Sequence, residues 1–276
     1  MILRVEHTTE FGYDGPIAEA YTELRLRPLE GGGQHCSSFR LITQPPGLRV
    51  REYRDYFGNG VHHFDVLESH DRLAVTAVSE VMTPKSFVGT RQVPTPLELH
   101  DYLGPTDFAP FSESVSDFAA QHTGGAAGTE RAHALMAAIH AELVYDPGAT
   151  DVQTRADEVL VLGRGVCQDF THVLLAACRC IGIPARYVSG YLYDPKLVGD
   201  NAASHAWVDV WDEERGWLAL DPTHDRDQTE SYVRVAVGRD YADVPPTRGV
   251  YKGSADETLA VRVGLEARSE PSGQVT

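Results

Sequence analysis

Residues 163–188 constrain the fold of this chain more than any other stretch. Phe170, Val173, Leu174, Ala177 and Ile181 recur at i, i+3, i+4, i+7 and i+11, the stripe of a helix that lays one face on a core. Gly163 and Gly165 permit a sharp backbone entry. Gly182 and then Pro184 stop the helix, and residues 185–193 read as a strand. Cys167 therefore falls at the helix N-terminus, where unpaired N–H groups and the positive end of the dipole favour a thiolate. Such a cysteine is half of a nucleophilic site, and the base must come from elsewhere in the chain.

His205 opens one apolar strand, 204–211, and Asp221 closes the next, 217–223. A tight turn at 212–216 joins them, so the start of one lies beside the end of the other. Asp221 can accept from one ring nitrogen of His205 and leave the second nitrogen facing Cys167, which is the logic of a Cys–His–Asp triad. His224 is the rival base; it follows Pro222 in a loop and is expected to be solvated. His172 lies about 140° around the helix from Cys167 and is poorly placed. Gln168 and Asp169, in the first helical turn, are given no catalytic role. The backbone N–H of Cys167 is one expected oxyanion donor, and Tyr145 is a candidate for the second.

Residues 165–170, residues 182–186, His205-Ala206-Trp207 and Asp221-Pro222-Thr223 together, in this order, resemble the bacterial transglutaminase-like superfamily. Its members are often described as candidate cysteine proteases. The resemblance covers about residues 129–240, and residues 1 to about 85 resemble the β-rich region that accompanies this core in many bacterial members. It implies an α+β fold with a papain-like transglutaminase core, in which the helix bearing the cysteine packs on an antiparallel sheet. It also implies Cys167 as nucleophile, His205 as base and Asp221 as orienter.

Around that core the chain divides into four parts. Residues 1–85 form a β-rich N-terminal domain, with alternating or β-branched segments at 1–10, 21–27, 38–44, 48–56, 61–67 and 73–81. Asp14-Gly15-Pro16 is a turn signal, and residues 57–60 are a hairpin signal. A sandwich or a curled antiparallel sheet follows. His62 and His63 point to opposite faces and make a poor metal site. Residues 86–125 are a proline-punctuated linker with a short helix at 112–122, capped by Ser112 or Ser114. Residues 126–243 are the catalytic core, opening with a helix over 129–143 capped by Thr129. A polar loop is expected at 194–201. Residues 244–276 are a C-terminal segment whose strand at 258–263 can return to the first domain, and its last dozen residues are expected to fray.

Composition narrows the function. The net charge of −16 makes nucleic acid and anionic membranes poor partners. No apolar run approaches the roughly 18 residues a membrane helix needs. Arg4, Glu6 and His7 interrupt what would be the apolar stretch of a signal peptide, so a cytoplasmic location is expected. Four cysteines are too few for a disulfide framework in a chain of 276 residues. Cys167 and Cys178 lie about 16 Å apart along the helix, and Cys178 and Cys180 point about 200° apart around it. The first pair is beyond disulfide reach, and the second is no ready chelate. Those last two and Cys36 read as small core residues. No cofactor or metal is called for, and the acidic residues form no calcium loop.

The expected function is thiol acyl transfer on a peptide or carboxamide carbonyl of a peptide or protein substrate. Hydrolysis, as a protease or amidase, is slightly favoured, because water is always at hand and an amine site has to be built. Protein-glutamine transglutamination is the alternative, and a catalytically silent binding protein of the same fold is another. The intact Cys–His–Asp set argues against a silent protein.

Overall fold

Period-two alternation shapes the first eighty residues and period 3.6 the middle of the chain. The computed structural model describes residues 1–46, 48–87, 93–196 and 204–268. Six strands come first: β1 (Ile2–Ile17), β2 (Glu19–Leu24), β3 (His35–Gln44), β4 (Arg51–Arg54), β5 (Gly60–Val66) and β6 (His70–Met82). The middle holds α1 (Pro96–Asp101), α2 (Glu113–His122), α3 (Glu130–Glu142), β7 (Val144–Tyr145), α4 (Ala156–Leu162), β8 (Arg164–Gly165) and α5 (Cys167–Cys180). Then follow β9 (Ala185–Leu192), β10 (Ser204–Asp212), β11 (Gly216–Asp221), β12 (Arg226–Asp227), β13 (Tyr232–Gly238), β14 (Thr247–Lys252) and β15 (Glu257–Arg268). Of the last dozen residues, expected to fray, 265–268 instead belong to β15 and pair with β1; residues 269–276 and most of the polar loop after Asp194 lie outside the described residues.

Two four-stranded antiparallel sheets, β15-β1-β6-β3 and β14-β2-β5-β4, form a sandwich. Alternation turns Phe11, Ile17, Leu24, Phe64, Val66 and Leu73 into its shared core. β1 runs straight through Asp14-Gly15-Pro16, where a turn was expected. Its ladder with β6 is interrupted between Gly12 and Ile17, so the missing N–H of Pro16 costs no bond to β6. β14 has no sequence signature, because Arg248, Gly249 and Val250 are all exposed and nothing alternates.

The second body is a five-stranded sheet, β12-β11-β10-β9-β13, with α5 packed on it and α2, α3 and α4 around α5. The sequence shows a striped helix, yet every residue of α5 from Asp169 to Arg179 is buried. The sheet covers one side, and the apolar faces of α2 (Val115, Phe118) and α3 (Leu135, Ile139) cover the other. Arg179 is tolerated there because its guanidinium donates to the carbonyls of Ala185, Gly104 and Arg239. Ser112 caps α2 by accepting from the Val115 N–H at 3.3 Å. Thr129 stands at the start of α3 but does not cap it; its hydroxyl donates to Asp212 at 2.9 Å and accepts from Arg215 at 2.6 Å. α1 lies in the stretch expected to be irregular, where Thr95 and Glu98 form a capping box around Pro96.

Sandwich and core join through apolar packing and through two buried amides. Leu3, Val5, Val81, Val263 and Leu265 meet Tyr191, Val233 and Val235, and each such side chain contributes about 1.5–3 kcal/mol when fully buried. β13 is an edge strand, and its main chain is satisfied from the sandwich. Gln34 accepts from the Arg234 N–H at 2.8 Å and donates to its carbonyl at 2.9 Å. Asn59 does the same for Val237, at 2.8 Å each way. Among the described residues no helix is long and apolar enough to cross a membrane.

Candidate active site

The turn before α5 is built around Asp169. Its Oδ2 accepts from the Val166 N–H at 2.7 Å and from the Thr150 hydroxyl at 2.6 Å. A Cβ on Gly165 would stand 2.6 Å from that same oxygen, so only glycine lets the carboxylate close over the turn. Asp169 thus fastens the loop that presents Cys167, and burial pushes its carboxyl up from the usual range. Cys167 opens α5, half-buried, where the first N–H groups have no intrahelical acceptor. It faces a cavity of about 330 Å³ that His205, Tyr187, Tyr241 and Ser189 line from the core. His7, Leu259 and Val261 line it from the sandwich.

β10 and β11 pair from Asp212↔Gly216 to Val208↔Leu220. The next step of that register sets Asp221 across from Trp207, with His205 one pleat further on the same face. The two residues meet diagonally across the hairpin. His205 Nε2 lies 2.8 Å from Asp221 Oδ2, and its other ring nitrogen is left for a hydrogen bond with Cys167. Burial works against the imidazolium, but the hydrogen bonds to Asp221 and Cys167 outweigh it and raise His205 to about 10. Asp221 is also buried, yet its bonds from His205 and His224 hold it well below the usual carboxylate range.

Asp221 serves four donors. Oδ2 receives His205, the Nδ1 of His224 at 2.8 Å and the Tyr232 hydroxyl at 2.5 Å, while Oδ1 receives the Thr223 N–H at 2.9 Å. The Tyr232 oxygen in turn accepts from Arg226 Nε at 2.8 Å. His224 is exposed to solvent, as expected, but it is not free: its ring is tied to the same carboxylate, 5.2 Å from the ring of His205. Donor atoms of His205, Asp221 and His224 lie within 4.8 Å of one another. These three could hold a cation, at the expense of the hydrogen bonds they now make.

Trp207 closes the site from behind. Its ring is fully buried, lies roughly parallel to His205 at 6.0 Å and stands edge-on to Tyr232 at 5.2 Å. Water is thereby kept from the His–Asp bond, which strengthens it. A Cβ on Gly190 would meet this ring at 2.6 Å and the Val233 carbonyl at 2.1 Å, so the tryptophan needs a glycine opposite. His172 is buried against Phe108 and accepts from the Tyr241 N–H. Desolvation lowers it to about 3, so it is a neutral structural residue. Tyr145 stands on β7, paired with Gly165 of β8, with its ring edge-on to Phe170. Burial and the charge of Cys167 raise its hydroxyl, and more than half of the side chain is exposed. Cys36 and Cys178 are buried and Cys180 is half-buried.

A family model for the transglutaminase-like superfamily matches residues 116–222, and one for the bacterial transglutaminase-like N-terminal region matches residues 3–82. The chain belongs to the transglutaminase-like superfamily. An uncharacterized protein of Mycobacterium leprae is 37% identical over 95% of this chain and 98% of its own length. A protein-glutamine gamma-glutamyltransferase of Pseudomonas aeruginosa is 31% identical over 44% of this chain and 21% of its own. A crystal structure from Cytophaga hutchinsonii, described as a candidate cysteine protease, superposes with a TM-score of 0.77 at 21% identity, covering 98% of this chain and 92% of the other. That likeness shows the fold.

For this transglutaminase-like chain, sequence reasoning missed Tyr232 and the role of Trp207. It also missed the cavity wall made by His7, Leu259 and Val261. An aromatic residue on a buried strand reads as core. Only the hydroxyl of Tyr232, which needs a partner once buried, hints at more.

Proposed function

We propose that the protein is a thiol acyl-transfer enzyme, with Cys167 as nucleophile, His205 as acid and base, and Asp221 as orienter. The observation that carries this reading is the His205 ring. It is fixed by Asp221 on one nitrogen and faces, with the other, a cysteine at a helix N-terminus on a cavity. The Cys167 sulfur attacks the carbonyl carbon of a peptide or carboxamide. The developing oxyanion is met by the Cys167 N–H, with the Tyr145 hydroxyl as the second donor. His205 gives its proton to the leaving amine, and a thioester remains. Water then attacks the thioester and yields its proton to His205, which releases the acid and frees the thiol.

Hydrolysis is favoured over amine transfer. Among the described residues no Asp or Glu lines the cavity, so nothing there gathers a lysine ammonium beside the thioester. The test is mass spectrometry of the protein with a panel of peptides, with and without added amines. The reading expects acylation of Cys167, its loss in His205→Ala, and survival of most of it in His224→Ala. Full acylation in His205→Ala would refute the assignment.

A further inference from the structure

β15 carries one apolar stripe, Leu259, Val261, Val263 and Leu265. Val263 and Leu265 are 4% and 5% exposed, packed on Tyr191, Val233 and Val235. Leu259 and Val261 are 56% and 50% exposed, because there the stripe runs past the core sheet and becomes the cavity wall opposite Cys167. Residues 257–262 are exposed throughout.

Two hydrogen bonds reveal which main-chain groups of this strand are in use. The Asp14 N–H donates to the Asp256 carbonyl at 3.2 Å, one step beyond the pair Tyr13↔Glu257. The Thr83 N–H donates to the Met1 carbonyl at 2.8 Å, one step beyond Ile2↔Met82. In an antiparallel pair, both groups of a residue turn to the same side. Both observations therefore direct the even-numbered residues of β1 at β15 and the odd-numbered ones at β6. Through the register, Thr258, Ala260 and Arg262 spend their main-chain groups on β1, while Leu259 and Val261 direct theirs outward. β15 ends its sheet, and among the described residues no strand pairs with its outer side.

We propose that the outer edge of β15 at Leu259 and Val261 receives the acyl-donor substrate as an extended polypeptide, added as a further strand beside the cavity. This rests on the acyl-transfer reading and adds the substrate class to it: a segment of unfolded or looped protein, not a small free amide. The geometry suits it, since the same two residues offer paired-strand hydrogen bonds sideways and apolar side chains over the cavity. An added strand turns every second side chain to the same face as Leu259 and Val261, over Cys167.

The test uses amide hydrogen exchange by NMR on the full chain carrying Cys167→Ala, so that binding is read without chemistry. The probe is the heptapeptide Thr-Val-Thr-Gln-Thr-Val-Thr, acetylated and amidated. At saturation the Leu259 and Val261 amides should slow by roughly tenfold or more, while those of Thr258 and Ala260, already paired, stay as they were. N-methylating the peptide amides one at a time should weaken binding at alternate positions only. Val261→Pro, which removes an outward N–H on an edge strand, should weaken it as well. No protection at saturation, or an N-methyl series without alternation, would overturn the proposal. Protection of the edge without peptide, rising with protein concentration, would assign it to a second copy of the chain and overturn it too. Acylation of wild-type Cys167 by the same peptide is followed separately by mass spectrometry. Protection without acylation leaves the docking edge standing and removes the enzyme reading; acylation without protection does the reverse.

Discussion

Replacing Asp221 separates the charge of the orienting group from its geometry. In Asp221→Asn one oxygen can still take the place of Oδ2 toward His205, His224 and Tyr232, and the amide NH2 then faces the Thr223 N–H. The opposite flip would set NH2 against three donors instead of one, so it is rejected. His205 keeps its orientation and its tautomer and loses only the carboxylate charge. Hydrogen bonds to charged groups contribute about 1.5–3 kcal/mol against about 1 for neutral ones. The loss of roughly 1–2 kcal/mol converts to about 5–30-fold in rate. Asp221→Ala leaves four donors without an acceptor, at about 1–3 kcal/mol for each that water cannot reach. It also frees the ring to turn, so a loss of roughly a thousandfold is expected. The assay is the rate at which a peptide substrate acylates Cys167, read by mass spectrometry, with circular dichroism confirming the fold. The pH profile adds a second readout. Asp221 and Cys167 raise His205 to about 10, so the imidazolium persists to alkaline pH in the wild type. In Asp221→Asn its deprotonation should move down toward the ordinary histidine range. Equal rates for the two variants, or an unmoved profile, would refute the reasoning.

Cys167 should be the thiol that iodoacetamide labels first, since burial pushes Cys178 up to about 12 and also raises Cys36 and Cys180; preferential labelling of any of those three contradicts this. Stability should rise with pH between about 4 and 6.5: burial lowers His7 to about 4 and His172 to about 3, so in that window the unfolded chain binds more protons than the folded one. Urea midpoints across pH 4–8 check it, and His7 alone contributes on the order of 3 kcal/mol over the window. Asp209→Ala should cost about 3–5 kcal/mol, because it strands the buried Arg234 guanidinium that bonds Asp209 beside Arg186; a thermal midpoint close to that of the wild type would show that the charge is otherwise paired.

What the sequence determined by itself lies within residues 163–223. Helical periodicity placed Cys167 at the start of α5, and a tight hairpin brought His205 beside Asp221. These are local relations, fixed by spacing over a few turns of helix or one strand pair. Alternation likewise marked most strands of the sandwich, because one face of each is buried. Tertiary structure decided the rest. Sequence could not show that α5 is buried all round, since coverage of its second face depends on where α2 and α3 pack. It placed His224 in solvent, where the ring is exposed, but could not show its bond to Asp221, because only the folded loop swings that ring back. It had no means of finding Tyr232 as a donor to Asp221, or the exposed strand β14. The cavity wall lay furthest from reach. His7 and Val261 are separated by more than two hundred residues and come together at Cys167 only because β15 pairs with β1 along its whole length. That pairing follows from burying the shared face of the two strands on the core, a gain that exists only once both bodies have formed.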